Sequence, residues 1–230
     1  MASWPVRGGV VWFGGQNLLR ARLIALLGSD ATTAERDRFH QDSATLAAAF
    51  TASKTSALEA HPGMTWPVDS LFALESLQLH DRLFGTRYFA PAWAKHARTL
   101  DATTGKSGLP ASFVHLDGRV RDVPRGCALS WTLAVLPRLD PARAAKLWPA
   151  YKAGFFSCTL VPCLVREYPR GTERKADIDS GPIIGGYGLA ATGFALAAAR
   201  ANGDTVTALK LETTGEMFGA ATLDSKGKRY

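Results

Sequence analysis

Sulfur is scarce in this 230-residue chain, which has three cysteines and three methionines. Three cysteines make no disulfide framework, since pairing Cys158 with Cys163 would leave Cys127 over. No histidine stands at metal-ligand spacing from them, so no metal is expected. They read as small apolar fillers in a reduced, cytoplasmic setting. A signal peptide is not expected either, because Met1 to Gly9 lacks a charged segment ahead of a long apolar one. There is no Gly-x-Ser-x-Gly elbow, no phosphate-binding loop and no His-Glu-x-x-His, and no cofactor is expected. No stretch sustains period-two alternation. That excludes sheet architectures and leaves an all-α fold.

Strong charge asymmetry is also lacking. The net charge of +7 comes from 27 basic against 20 acidic residues, scattered apart from Arg166 to Lys175 and Lys226 to Arg229. A nucleic-acid partner needs a basic face with a base-reading element, and none is visible. At 47% hydrophobic and 20% charged the chain has material for one core, so a single domain over 1–230 is expected. Gly181 to Ala199 has no charge and is long enough to raise a membrane span. Its Gly, Ala and Thr content suits a helix buried among helices better, so membrane association is the lesser reading.

What is present is a repeat. Trp66-Pro-Val-Asp-Ser70 opens an apolar run from Leu71 to Phe84, and Pro124-Arg-Gly-Cys127 opens one from Ala128 to Leu139. Asp177-Ile-Asp-Ser-Gly-Pro182 opens a third, Ile183 to Ala201, and Gly14-Gly15-Gln16-Asn17 an earlier one, Leu18 to Leu27. Asp69 and Asp179 are 110 positions apart, two periods of 55. Each run is followed by a turn and a more polar helical stretch, which predicts four helix pairs in tandem. Thr32-Thr-Ala-Glu35 has the form of a capping box, followed by Phe39, Leu46 and Phe50 on one helix side. Asp140-Pro141 is a cap with proline at the first helical position. Inner helices are predicted from about 69, 126 and 180, and outer ones from about 33, 88, 141 and 204. The long loops Gly105 to Val123 and Ser157 to Ala176 have room for short hairpins.

The opening runs are apolar all round, whereas the following helices are striped. This asymmetry predicts inner helices ringed by outer ones, an α/α toroid. Helix N-termini would converge at its mouth and favour carboxylates and anions. The segments from Trp66 to Ser70, Val123 to Trp131 and Asp177 to Thr192 resemble the linalool dehydratase/isomerase-like group of α/α-barrel proteins, and more distantly six-hairpin glycosidases. The resemblance implies a barrel of about six helix pairs. Four are counted here, so an incomplete ring is expected. It also implies acid/base chemistry on a C–O bond of a small alcohol-like or carbohydrate substrate, by a lyase or isomerase. A glycoside hydrolase is the alternative, and a non-catalytic sugar- or lipid-binding barrel is another.

The site candidates rest on the residues themselves. Asp69 and Asp179 hold equivalent repeat positions just before inner helices. There they serve either as N-caps or, facing one mouth, as general acid and base. Asp177 adds a third acid whose repulsion would raise one pKa. Arg125 stands at the matching position of another repeat, to pair with an acid or hold an anionic group. Trp66, Tyr168 and Tyr187 are the candidate aromatic lining, and Trp131 reads as core. Glu75 is expected to be buried with a partner or to face the lumen, His80 to lie at the surface, and His115 in a loop. The glycines around Gly186-Tyr-Gly188 mimic a dinucleotide fingerprint without its strand, and read instead as small residues for close helix packing. An open array leaves an apolar flank at Val10, Val11, Trp12 and Phe13, to be covered by a second copy, a partner or missing sequence.

Overall fold

The computed structural model describes residues 9–176 and 180–219, together with the backbone of 222–224 and 227–229. The protein is all-α: among the described residues the only strands are antiparallel pairs two or three residues long. The helices are α1 (Gly9–Leu27), α2 (Thr33–Ala52), α3 (Leu71–Phe84), α4 (Phe89–Ala102), α5 (Gly126–Leu139), α6 (Pro141–Phe155), α7 (Leu189–Ala201) and α8 (Thr205–Phe218). None of them is long and apolar enough to cross a membrane. The chain divides into two compact units, Met1–Pro124 with Arg138–Asp140, and Arg125–Pro137 with Pro141–Tyr230.

In the first unit α1 packs on α3 and α2. Gly14 permits the close approach, because a Cβ there would lie 2.7 Å from the Ala73 Cβ. The Asn17 side-chain amide donates to Ser43 Oγ (3.1 Å) and Ser76 Oγ (3.0 Å), tying three helices together in the core. The capping box at Thr32 forms as expected: Glu35 N donates to Thr32 Oγ1 at 3.2 Å, and Thr32 N to Glu35 Oε2 at 3.0 Å. At the other end of α2, Lys95 Nζ on α4 donates to the carbonyls of Phe50, Thr51 and Ser53. A cation thus meets the negative end of the helix dipole. Asp81 on α3 caps α4 from outside by accepting from Tyr88 N (2.9 Å) and Phe89 N (2.8 Å).

In the second unit Tyr151 and Phe155 of α6, Leu129 and Leu133 of α5, and Ala191, Ala195 and Ala198 of α7 form the core. Asp204 caps α8 through Thr207 N (3.0 Å) and also holds Lys152 (2.6 Å) and Trp148 Nε1 (3.1 Å).

Two predicted boundaries move. α1 runs through the Gly14-Gly15 pair that was expected to open it. α7 begins at Leu189 rather than near 180, because Ile183–Ile184 and Tyr187–Gly188 form a hairpin. Gly185 (φ 59°) and Gly186 (φ 86°) supply its turn, a backbone that side-chain-bearing residues resist. Short hairpins also form in both long loops, Phe113–Val114 with Val120–Asp122 and Phe156–Ser157 with Leu164–Val165. The cysteines differ from expectation as well: Cys158 and Cys163 are joined in a disulfide, and Cys127 is not part of it. The bridge spans the loop that joins Phe156–Ser157 to Leu164–Val165, so these two are not reduced fillers.

Candidate functional site

The start of α5 gathers the most unusual chemistry in the second unit. Glu167, in the turn after Leu164–Val165, is fully buried. Its Oε1 accepts from Arg125 Nε at 2.9 Å and from the Cys127 thiol at 2.9 Å. Its Oε2 accepts from Cys127 N at 3.3 Å, and its carbonyl from Gly126 N at 2.8 Å. Glu167 therefore satisfies the first N–H groups of α5 from outside the helix, placing negative charge where the dipole favours it.

Glycines make room for this arrangement. A Cβ on Gly188 would sit 2.6 Å from Glu167 Oε2, and one on Gly126 would sit 2.0 Å from the Arg166 carbonyl oxygen. Gly188 is thus a position of close approach to a carboxylate. The expected helix packing accounts for only part of its role, through contact with Ala191.

Burial raises the Glu167 pKa above its ordinary value, and the bonds from Cys127 and Arg125 only partly offset this. Arg125 is itself buried, its guanidinium 4.9 Å from the Tyr168 ring centre. Behind the pair Ser130 and Tyr151 share a hydrogen bond, and Ser130 Oγ also donates to the Ala191 carbonyl at 2.8 Å. Burial drives the Tyr151 phenol upward, so it stays protonated. Cys127 is the half-buried member, at the edge of this cluster. Next to it Arg166 lies over the Tyr187 ring at 5.6 Å and pairs with Glu173 at 2.7 Å.

Of the predicted site residues, Arg125, Tyr168 and Tyr187 fall in this unit, and Arg125 and Tyr168 are in direct contact. Asp177 and Asp179 lie outside the described residues. Asp69 and Trp66 belong to the first unit. Asp69 is buried in a 3₁₀ turn, Pro67–Ser70, and is not the residue preceding α3. Ser70 is, and its hydroxyl accepts from Leu58 N at 2.9 Å. Trp66 is buried and stacked on Phe113 at 4.4 Å.

Glu75 has partners as expected, Arg22 (2.7 Å) and Arg138 (2.7 Å). Burial works against its charge, but the two arginines outweigh that and hold its pKa below the usual value. His80 is not at the surface. It is buried among Phe39, Phe84 and Tyr88 and hydrogen-bonded to His40 at 2.9 Å. Of the apolar flank expected on α1, Val10 and Phe13 are buried within the chain, Val11 is half-buried and Trp12 is exposed.

Sequence reasoning missed Glu167. Its one signal was a lone acid in the otherwise basic run Arg166 to Arg170. Among the described residues no group of acids, cysteines and histidines is arranged to hold a metal. The chain matches no protein-family model and no curated protein sequence.

Proposed function

We propose that this protein is an enzyme of the lyase or isomerase kind, acting on a C–O bond of a small alcohol-like or carbohydrate substrate by side-chain acid/base catalysis at the start of α5. The observation that supports this most is the Cys127–Glu167 hydrogen bond. It joins a half-buried thiol to a buried carboxylate whose pKa is raised. Perturbed titrating groups with specific charge partners concentrate at reactive sites.

In a dehydration, a base takes a proton from the carbon beside the one bearing the hydroxyl. An acid gives a proton to the departing oxygen, and water leaves. Cys127 meets the substrate and exchanges its proton with Glu167. Arg125 positions the Glu167 carboxylate, and Tyr187 supplies an aromatic wall. Asp177 and Asp179 are the candidates for the second proton-transfer group. Asp69 and Trp66 have no part in this reading.

The test is turnover of a panel of small alcohols, followed as loss or gain of water by gas chromatography and mass spectrometry, with aryl glycosides alongside. Turnover of an alcohol that vanishes in Cys127→Ser and Glu167→Gln, both still folded, is the expected result. Cys127→Ser matters because Glu167 caps α5 whether or not a thiol is present. Hydrolysis of glycosides alone would instead favour the glycosidase reading, which needs two carboxylates about 5–10 Å apart. Binding without turnover would favour a binding module.

A further inference from the structure

A relay of hydrogen bonds runs through the first unit, and its partners fix where every proton in it sits. Asp81 accepts from Thr86 Oγ1 at 2.6 Å and from Tyr88 N and Phe89 N, so it stands as a carboxylate. The single hydroxyl proton of Thr86 is thus committed to Asp81. The Thr86 oxygen can then only accept from His80 Nδ1, 2.7 Å away. With its proton on Nδ1, His80 presents a bare Nε2, which accepts from His40 Nδ1 at 2.9 Å. Burial among Phe39, Phe84 and Tyr88 keeps His80 neutral, its pKa lowered to about 4. The relay ends on the second nitrogen of His40. That ring is half-buried against Phe84, with 4.2 Å between centres. Its Nε2 has no hydrogen-bond partner among the described residues and is not sealed by burial, so its lone pair opens to solvent.

A reactive side chain held by a base, with that base oriented by a further group, is the arrangement of an activated nucleophile. We propose that His40 is the nucleophile of a second site, which takes the acyl group of a small activated carboxylic ester and passes it to water. His80 is its positioning residue. Nε2 bonds to the carbonyl carbon while the C–O bond to the alcohol breaks, and that oxygen leaves as an alkoxide. His40 keeps its Nδ1 proton, so the acylated ring is a cation, and the relay to Asp81 stabilises it. Water then bonds to the acyl carbon, and the C–Nε2 electron pair returns to the ring. The proton that water sheds goes to the departed alkoxide, so the products are a carboxylic acid and an alcohol. The site shares no residue with the cluster around Cys127, so the two readings stand or fall separately.

The test treats the native chain with diethyl pyrocarbonate and follows the modified fraction of each histidine by mass spectrometry of its peptides. Exposure alone ranks His61 first, because it is exposed whereas His40 and His115 are half-buried. The relay instead predicts that His40 reacts fastest. His80→Phe keeps a ring without the acceptor and should slow His40 about tenfold, by removing a hydrogen bond to the forming cation. His80→Gln should recover part of that rate, because its amide oxygen can accept from Nδ1. Loosened packing alone would expose His40 and speed its reaction. Hydrolysis of p-nitrophenyl acetate is measured in Cys127→Ser chains, which removes the thiol as a competing nucleophile. It should be largely lost on adding His40→Gln and kept on adding His115→Gln. His61 reacting before His40, faster labelling of His40 in His80→Phe, or hydrolysis unchanged by His40→Gln would each overturn the proposal. The labelling order needs no substitution, so it decides the matter if a variant does not fold.

Discussion

The Cys127 thiol donates to Glu167 Oε1 at 2.9 Å, while the backbone N–H of the same cysteine donates to the other oxygen at 3.3 Å. One buried carboxylate therefore serves both a helix terminus and a thiol. The two roles separate by substitution.

Glu167→Gln keeps the shape and resembles the protonated acid that burial favours. Its cost should be on the order of 1 kcal/mol in denaturant unfolding. Glu167→Ala removes the acceptor beside buried Arg125 and should cost about 3–5 kcal/mol. The folded Glu167 pKa lies above its ordinary value. Its contribution is therefore full below the unfolded pKa and fades as pH rises through the folded one. The stability gap between the native chain and Glu167→Gln should narrow over that rise. A gap that widens would show that the Arg125 pairing outweighs burial.

His80 sets an acid limit. Burial, then the neighbouring His40, lowers its pKa to about 4 from 6.5, against a smaller opposing effect of Asp81. A depressed histidine favours the neutral form, so its contribution is full above the unfolded pKa and fades as pH falls from about 6.5 towards 4. His80→Phe keeps a ring among Phe39, Phe84 and Tyr88 and should flatten the melting temperature across that window. A profile as steep as that of the native chain would assign the acid loss elsewhere.

Asp204 anchors α8 to α6. Burial opposes its charge, but Lys152, Thr207 and Trp148 together bring its pKa down to about 2. Asp204→Ala should cost about 1–2 kcal/mol, as the loss of a cap does. Asp204→Asn should recover part of this by restoring the acceptor for Thr207 N without the charge for Lys152. Equal losses in the two variants would assign the effect to the ion pair alone.

Alkylation under native, unreduced conditions should label Cys127 and spare Cys158 and Cys163, which are joined to each other. Unfolding with reductant should expose all three. Mass spectrometry of the labelled peptides checks both statements, and labelling of Cys158 without reductant would contradict the bridge.

Much of the helical order was legible in local chemistry. Thr32 with Glu35, Asp140 with Pro141, and Asn202 to Asp204 start or stop helices through groups a few residues apart, which the chain displays in order. The start of α7 was not legible, because an uncharged Gly, Ala and Ile run suits a buried helix as well as a hairpin. The positive φ of Gly185 and Gly186 decided it. His80 looked exposed beside Asp81, yet rings from α2 and α3 surround it.

The sequence by itself determined the helical class, because periodicity and caps act within a turn or two of the chain. Only the tertiary structure decided the candidate site. Glu167 meets Cys127 and Arg125 across 40 and 42 residues, a pairing set by the Gly126 and Gly188 backbones and by burial. No spacing rule along the chain encodes such a contact. It exists only where packing removes water and leaves one carboxylate to answer a guanidinium, a thiol and a helix end together.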